Sequence, residues 1–202
     1  MRGALRLLIG LMALLLLPAA SMAARPALWP DDMTLGNAKA KVVVVEYASL
    51  SCPHCARFHA GVFPALKAKY IDTGKASYTL KEMLTPPAPV AMAGFLIARC
   101  AGPAKYFNVV DQVFRSQDRW DNGKIKPIFQ EIALANGLTQ AQFDACLSDE
   151  KTQVAMTERV RKAAEDDGID STPTVFVNGK LVATPTLPEL EAAIAAAGKG
   201  RR

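Results

Sequence analysis

Two cysteines one helical turn apart, placed just behind a continuous β-branched run, constrain this chain more than any other feature. Val42-Val43-Val44-Val45-Glu46-Tyr47-Ala48 is followed, after three residues, by Cys52-Pro53-His54-Cys55. The apolar run reads as a strand buried on both faces, so the cysteines fall where a helix opens behind it. Two thiols at this spacing close a disulfide within one turn and reopen it with little backbone movement. A sulfur in the first turn meets free backbone N–H groups and the positive end of the helix dipole, and both favour thiolate over thiol. A stabilised thiolate is a good leaving group and favours the reduced form, which makes the disulfide an oxidant. The predicted chemistry is thiol–disulfide exchange. Cys52 is the expected nucleophile and mixed-disulfide partner, and Cys55, one turn deeper, the resolving thiol. The same residues leave open a structural CxxC, or a zinc half-site completed by His54 and His59. Zinc requires ligands gathered around one point, and the chain holds only these two histidines.

The N-terminus bears on where such chemistry takes place. Arg2 and Arg6 precede an apolar block over 7–17, then Pro18 and the small-residue run Ala19-Ala20-Ser21-Met22-Ala23. This pattern predicts a signal peptide over 1–23, cleaved after Ala23. The alternative, an uncleaved anchor, calls for roughly 20 apolar residues. In an oxidising compartment the four cysteines read as disulfide formers rather than metal ligands. Removal of Arg2 and Arg6 lowers the formal charge from +5 to +3. So mild and scattered an excess argues against a nucleic-acid partner.

Beyond the signal, residues 24–38 carry Pro26, Pro30 and Gly36 without periodicity and are expected to be irregular. A helix bearing Phe58, Val62, Leu66 and Tyr70 follows the CxxC, with a kink expected at Pro64. Residues 77–83 read as a second strand, and Pro86-Pro87-Ala88-Pro89 then breaks the chain. Helical spacing governs 91–100, 105–116, 125–136, 139–147 and 152–165, with Thr139 as an N-cap. Strand character returns at Thr174–Val177. Asn178-Gly179 predicts a two-residue hairpin into Lys180–Val182, and 187–197 closes the chain as a helix.

Strand–CxxC–helix at one end, Ser171-Thr172-Pro173-Thr174 before a hairpin at the other and a helical block between them resemble the DsbA family of exported dithiol oxidases. The resemblance covers residues 38 to 198. It implies an α/β thioredoxin-like fold with an inserted α-helical domain. The expected division is 39–87 and 168–200 for the thioredoxin-like part and 88–167 for the insertion.

The resemblance also assigns roles. Pro53 and His54 are similar to the Pro-His pair of strongly oxidising members, where the histidine stabilises the thiolate. His59 is read as an ordinary surface or packing histidine. Glu46 is an ionisable group within a buried strand, where a carboxylate costs several kcal/mol unless paired or protonated. In this fold an acid near that position helps move the proton of the buried thiol; the alternative is a side chain escaping at a sheet edge. Pro173 resembles the cis-proline that faces the CxxC, and a cis peptide fixes a tight bend there. The residue before it, Thr172, then offers backbone groups to an extended substrate and a hydroxyl to the sulfurs. Thr departs from the Val of the best-known oxidases and is familiar from isomerase and reductase relatives. Cys100 and Cys146 are either two buried free thiols or, as in some relatives, a structural disulfide of the helical block.

The function expected is that of a periplasmic protein-disulfide oxidoreductase, an oxidase donating the Cys52–Cys55 disulfide to newly exported proteins with reduced cysteines. By resemblance it is reoxidised by a membrane quinone-linked partner such as DsbB; no cofactor is expected, and the short irregular segment over 24–38, in place of the dimerising or trimerising extension of isomerase relatives, points to a monomer. The alternatives are an isomerase or reductase of the same fold and, in another class, a periplasmic metal-binding protein using CxxC and histidine.

Overall fold

The computed structural model describes residue 26, residues 28–120 and residues 124–199. The signal peptide expected over 1–23 lies outside the described residues. Five strands, β1 (Met33–Gly36), β2 (Val42–Ala48), β3 (Ala76–Glu82), β4 (Thr174–Val177) and β5 (Lys180–Val182), form one sheet in the order β1-β3-β2-β4-β5. β2 runs parallel to β3 and antiparallel to β4, with Glu46 opposite Leu80 and Val175. The central position of β2 explains its largely apolar character, Glu46 apart, since both of its faces are covered. On one face Val42, Val44, Ala48 and Leu50 join Tyr78, Leu80 and Val175 in the main core. On the other, Val45, Tyr47 and Phe176 pack with Ala163 and Ile169.

Between β2 and β3 lie α1 (Pro53–Gly61), α2 (Phe63–Leu66) and a π-helical turn over Lys67–Ile71. The single kinked helix expected here is broken at Val62. Pro64 has no N–H to give to the carbonyl four residues back, so the hydrogen-bond ladder cannot pass that point. Between β3 and β4 come α3 (Ala88–Cys100), α4 (Pro103–Arg115), α5 (Ile125–Ala135), α6 (Gln140–Leu147) and α7 (Glu150–Asp167). α8 (Leu187–Lys199) follows the hairpin. Thr139 caps α6 in a full capping box with Gln142. The β4–β5 turn has positive φ at both Asn178 and Gly179, the geometry of a tight primed turn. The chain is thus α/β, with a helical insertion in a thioredoxin-like sheet.

A second expectation fails. Within 24–38, residues Met33–Gly36 are not irregular but form β1, paired antiparallel with β3 from Met33↔Leu80 to Gly36↔Ser77. Four residues are too few to display a period of two, so the strand exists because β3 offers an open edge. The preceding segment is held by a buried ionic cluster. Asp32 accepts from Lys81 at 3.2 Å and from Arg159 at 2.9 Å, while the Lys81 ammonium sits 3.9 Å above the Trp29 ring. Glu82 receives two hydrogen bonds from Arg99 and one from the Tyr106 hydroxyl. These contacts tie the N-terminal segment, α3, α4 and α7 to the end of β3 beside the CxxC.

Candidate active site

The site is built at the C-terminal end of β2. The chain leaves the sheet at Ala48, turns through Ser49–Ser51 and enters α1 with Cys52 as N-cap and Pro53 in the first turn. Proline suits that position, where its missing N–H would have no partner. The turn is clamped by side chains from elsewhere. Ser51 Oγ donates to the Thr85 carbonyl at 2.8 Å, and the Thr85 N–H donates to Ser49 Oγ at 3.1 Å. Gln117, from the turn after α4, donates through Nε2 to the Leu50 carbonyl at 2.7 Å and reaches the Cys52 carbonyl at 3.3 Å. Gly94 of α3 lies so close that a Cβ there would stand 2.8 Å from Leu50 Cδ1.

Both sulfurs are free thiols here, and they are not equivalent. Cys52 keeps 7% of its surface exposed while Cys55 keeps none. The Cys55 thiol donates a hydrogen bond to the Cys52 sulfur, which is the largest influence holding Cys52 down at about 5. Burial opposes this, and a side-chain hydrogen bond from Thr172 and the backbone N–H groups of Cys55 and His54 add to it. Those N–H groups are the unpaired donors of the first helical turn. Cys55 moves the other way, pushed well above the ordinary thiol range by the same hydrogen bond, by burial and by the Glu46 charge.

The Thr172–Pro173 peptide bond is cis, and the Cys52 Sγ lies 3.4 Å from the Thr172 carbonyl oxygen. Thr172-Pro173 and Cys52 therefore come together from 120 residues apart. Pro86–Pro87 is a second cis bond, just beyond the loop that Ser51 contacts.

Glu46 does not escape at an edge. It is fully buried on central β2, where its Oε2 accepts from the Tyr78 hydroxyl at 2.6 Å and pairs with His59 Nε2 at 3.1 Å. His59 is 3% exposed and stacks on Phe114, so it is a packing histidine rather than a surface one, and its bond to Glu46 adds to that. Helical spacing could have found it, because residues four apart share a face and Cys55 already marks the buried face of α1. His54 points away from this cluster. Its Nδ1 lies 2.9 Å from the Arg57 guanidinium, and the part of His54 that acts on Cys52 is its backbone N–H. The two histidines therefore do not converge on the cysteines. Tyr78, Gln117 and Arg57 carry no local sequence signal.

Cys100 at the end of α3 and Cys146 in α6 are joined by a disulfide with Cα atoms 6.3 Å apart. They play no part in the cluster at Cys52.

A family model described as Thioredoxin matches residues 29–196. A Rickettsia bellii protein named "Putative protein-disulfide oxidoreductase" is 37% identical over 81% of this chain and 63% of its own length. The chain thus spans less than two thirds of that relative. The crystal structure of Wolbachia pipientis alpha-DsbA1 superposes with a TM-score of 0.76 at 31% identity, covering 85% of this chain and 93% of that one. Oxidised BdbD from Bacillus subtilis shares the fold, with a TM-score of 0.78 at 21% identity over 89% of this chain and 98% of that one. A CxxC at a helix start, a cis-proline against its first sulfur and the matches to relatives across most of the chain agree: this chain belongs to the DsbA family of thioredoxin-fold disulfide oxidoreductases.

Proposed function

We propose that the protein is an exported dithiol oxidase that donates a Cys52–Cys55 disulfide to newly exported proteins. The observation that carries this reading is the inequality of the two sulfurs: Cys52, which keeps 7% of its surface exposed, has its thiol held at about 5, and Cys55, fully buried, has its thiol pushed up. A substrate thiolate attacks Cys52 Sγ, a mixed disulfide forms, and the electron pair of the broken S–S bond stays on Cys55. The substrate's second thiolate then attacks its own sulfur in the mixed disulfide and releases Cys52 as a thiolate. That thiolate is a good leaving group, and its stability drives the transfer of the disulfide to substrate.

Thr172 and Pro173 form the docking edge, where an extended substrate segment adds to backbone groups beside the attacked sulfur. Glu46 moves the proton of Cys55. Pro53 starts the helix that holds the sulfurs, and His54 contributes through its N–H. Cys100–Cys146 is a structural bridge. Each turnover leaves a reduced enzyme, so a reoxidant is required, and family resemblance points to a membrane quinone-linked partner resembling DsbB. The leader expected over 1–23 supports action in the periplasm.

Equilibration of the Cys52–Cys55 pair against a graded glutathione buffer tests the assignment. A potential well above roughly −270 mV, that of thioredoxin, is expected; one near that value would refute the oxidase. Thr172 favours a second reading, an isomerase or reductase. In that case the reduced protein would rescue a scrambled multi-disulfide substrate faster than the oxidised protein oxidises a reduced one.

A further inference from the structure

Glu46 is fully buried, so any proton it gives to Cys55 must be replaced from solvent through a packed core. Its two oxygens have different surroundings. Oε2 is held by Tyr78 and His59, whereas Oε1 is buried with no hydrogen-bond partner among the described residues. The His59 ring is fixed in plane by Phe63 and Phe114, with centroids 4.6 and 4.3 Å away. Beyond it lies a groove of about 420 Å³ between α1 and α4, walled by Ala56, His59 and Ala60 on one side and Asp111, Phe114 and Arg115 on the other. Among the described residues, His59 both lines this groove and hydrogen-bonds Glu46.

We propose that His59 is a proton relay between water in the α1–α4 groove and Glu46, a positioning residue that serves Cys55 without touching it. The inference rests on the reading of Cys52 as the attacked sulfur. When the substrate thiolate attacks, the substrate–Cys52 S–S bond forms as the Cys52–Cys55 bond breaks, and the electron pair remains on Cys55 Sγ. Glu46 passes a proton to that sulfur by way of one bridging water, since its Oε1 makes no hydrogen bond to Cys55 among the described residues. The Nε2 proton of His59 passes to Oε2, and Nδ1 takes a proton from groove water. The sequence runs backwards when Cys55 must lose its proton on reoxidation. A thiol as strongly disfavoured from ionising as Cys55 is a poor leaving group unless protonated, so this proton supply should limit the rate. General acid catalysis by a positioned group contributes about 10²–10⁴-fold.

The test uses oxidised full-length protein reduced in a single turnover by a small dithiol between pH 5 and 8. The ionisable groups around the His59–Glu46 pair are Tyr78 from β3, Cys55 and Arg57 from α1, and Asp111, Arg115 and Asp118 from α4 and its following turn. All are retained in the variants. His59→Gln keeps a donor for Glu46 but cannot pass a proton along. It is expected to slow the reaction at least tenfold and flatten its pH profile while the Cys52 alkylation pKa stays near 5. His59→Ala opens the groove onto Glu46, and added imidazole is expected to restore the rate. Wild-type rate and profile in His59→Gln would overturn the relay, as would failure of imidazole to rescue a folded His59→Ala. Should His59→Ala not fold, His59→Gln decides alone. Mass-spectrometric mapping of which sulfur of the reduced wild-type protein alkylates first at mildly acidic pH separates the two readings, since Cys55 reacting first would overturn the role of Cys52 and leave the relay without its step.

Discussion

Lowering pH from 7.5 to 5 should remove a stabilisation that only the reduced protein possesses. The Cys52 thiol sits at about 5 in the folded chain against an ordinary value of 9.0. A group whose folded pKa is depressed contributes stability that is complete above the unfolded pKa and is lost as pH falls through the folded one. The window here therefore runs from about 9 down to about 5. Within it, each pH unit is worth about 1.4 kcal/mol, so the contribution is roughly 3 kcal/mol at pH 7 and only a few tenths at pH 5. Cys55 does not alter this balance below pH 9, because its raised pKa leaves it a thiol in both states. The oxidised protein has no Cys52 proton to titrate and serves as the internal reference. Urea unfolding of both redox forms at pH 5 and 7.5 measures the difference. The reduced-minus-oxidised stability should grow by about 3 kcal/mol over that interval. With a urea slope of roughly 1–3 kcal/mol/M, that moves the relative midpoint by about 1–3 M. Parallel stabilities across the interval would show that Cys52 is not a stabilised thiolate, and the oxidase reading would lose its support. The same 3 kcal/mol at pH 7 corresponds to roughly 60 mV of added oxidising power.

Other expectations follow from single contacts. Thr172→Val removes a side-chain hydrogen bond that holds the Cys52 thiolate, so the alkylation pKa of Cys52 should rise; an unchanged value would mean the hydroxyl does not reach the sulfur. Replacing Cys100 and Cys146 together by Ala opens a loop of 46 residues and should cost about 4 kcal/mol in the chain-entropy account. Chemical denaturation reads that loss, and Cys52 alkylation should stay as it was. Gln117→Ala leaves the Leu50 carbonyl without its 2.7 Å donor, a loss of about 1–3 kcal/mol that should also speed hydrogen exchange in the Ser49–Cys52 turn. An unaltered exchange rate there would show that the contacts of Ser49 and Ser51 with Thr85 hold the turn without Gln117.

Local chemistry determined a good deal of this protein from sequence. A β-branched run, a CxxC behind it and proline in the first helical turn define a strand, a turn and a helix start through interactions among near neighbours. The Asn178-Gly179 turn and the Thr139 cap are equally local, and each adopts the geometry its residues favour. The pairing of Thr172-Pro173 with the CxxC was legible only through family resemblance, since nothing in either segment encodes contact across 120 residues. Tertiary structure alone decided the rest. The four residues of β1 become a strand because β3 has an open edge. Glu46 is tolerated in the core because Tyr78, 32 residues on, and His59 converge on one of its oxygens. Gln117 reaches the active-site turn only because the helical insertion folds back over β2. Residue type and spacing specify which bonds a backbone segment makes with itself, but a buried charge or a clamped carbonyl acquires its partner only when distant elements are packed to within about 3 Å. The strand and the dithiol are therefore written along the chain, while the surroundings that hold one sulfur charged and the other neutral are a property of the fold.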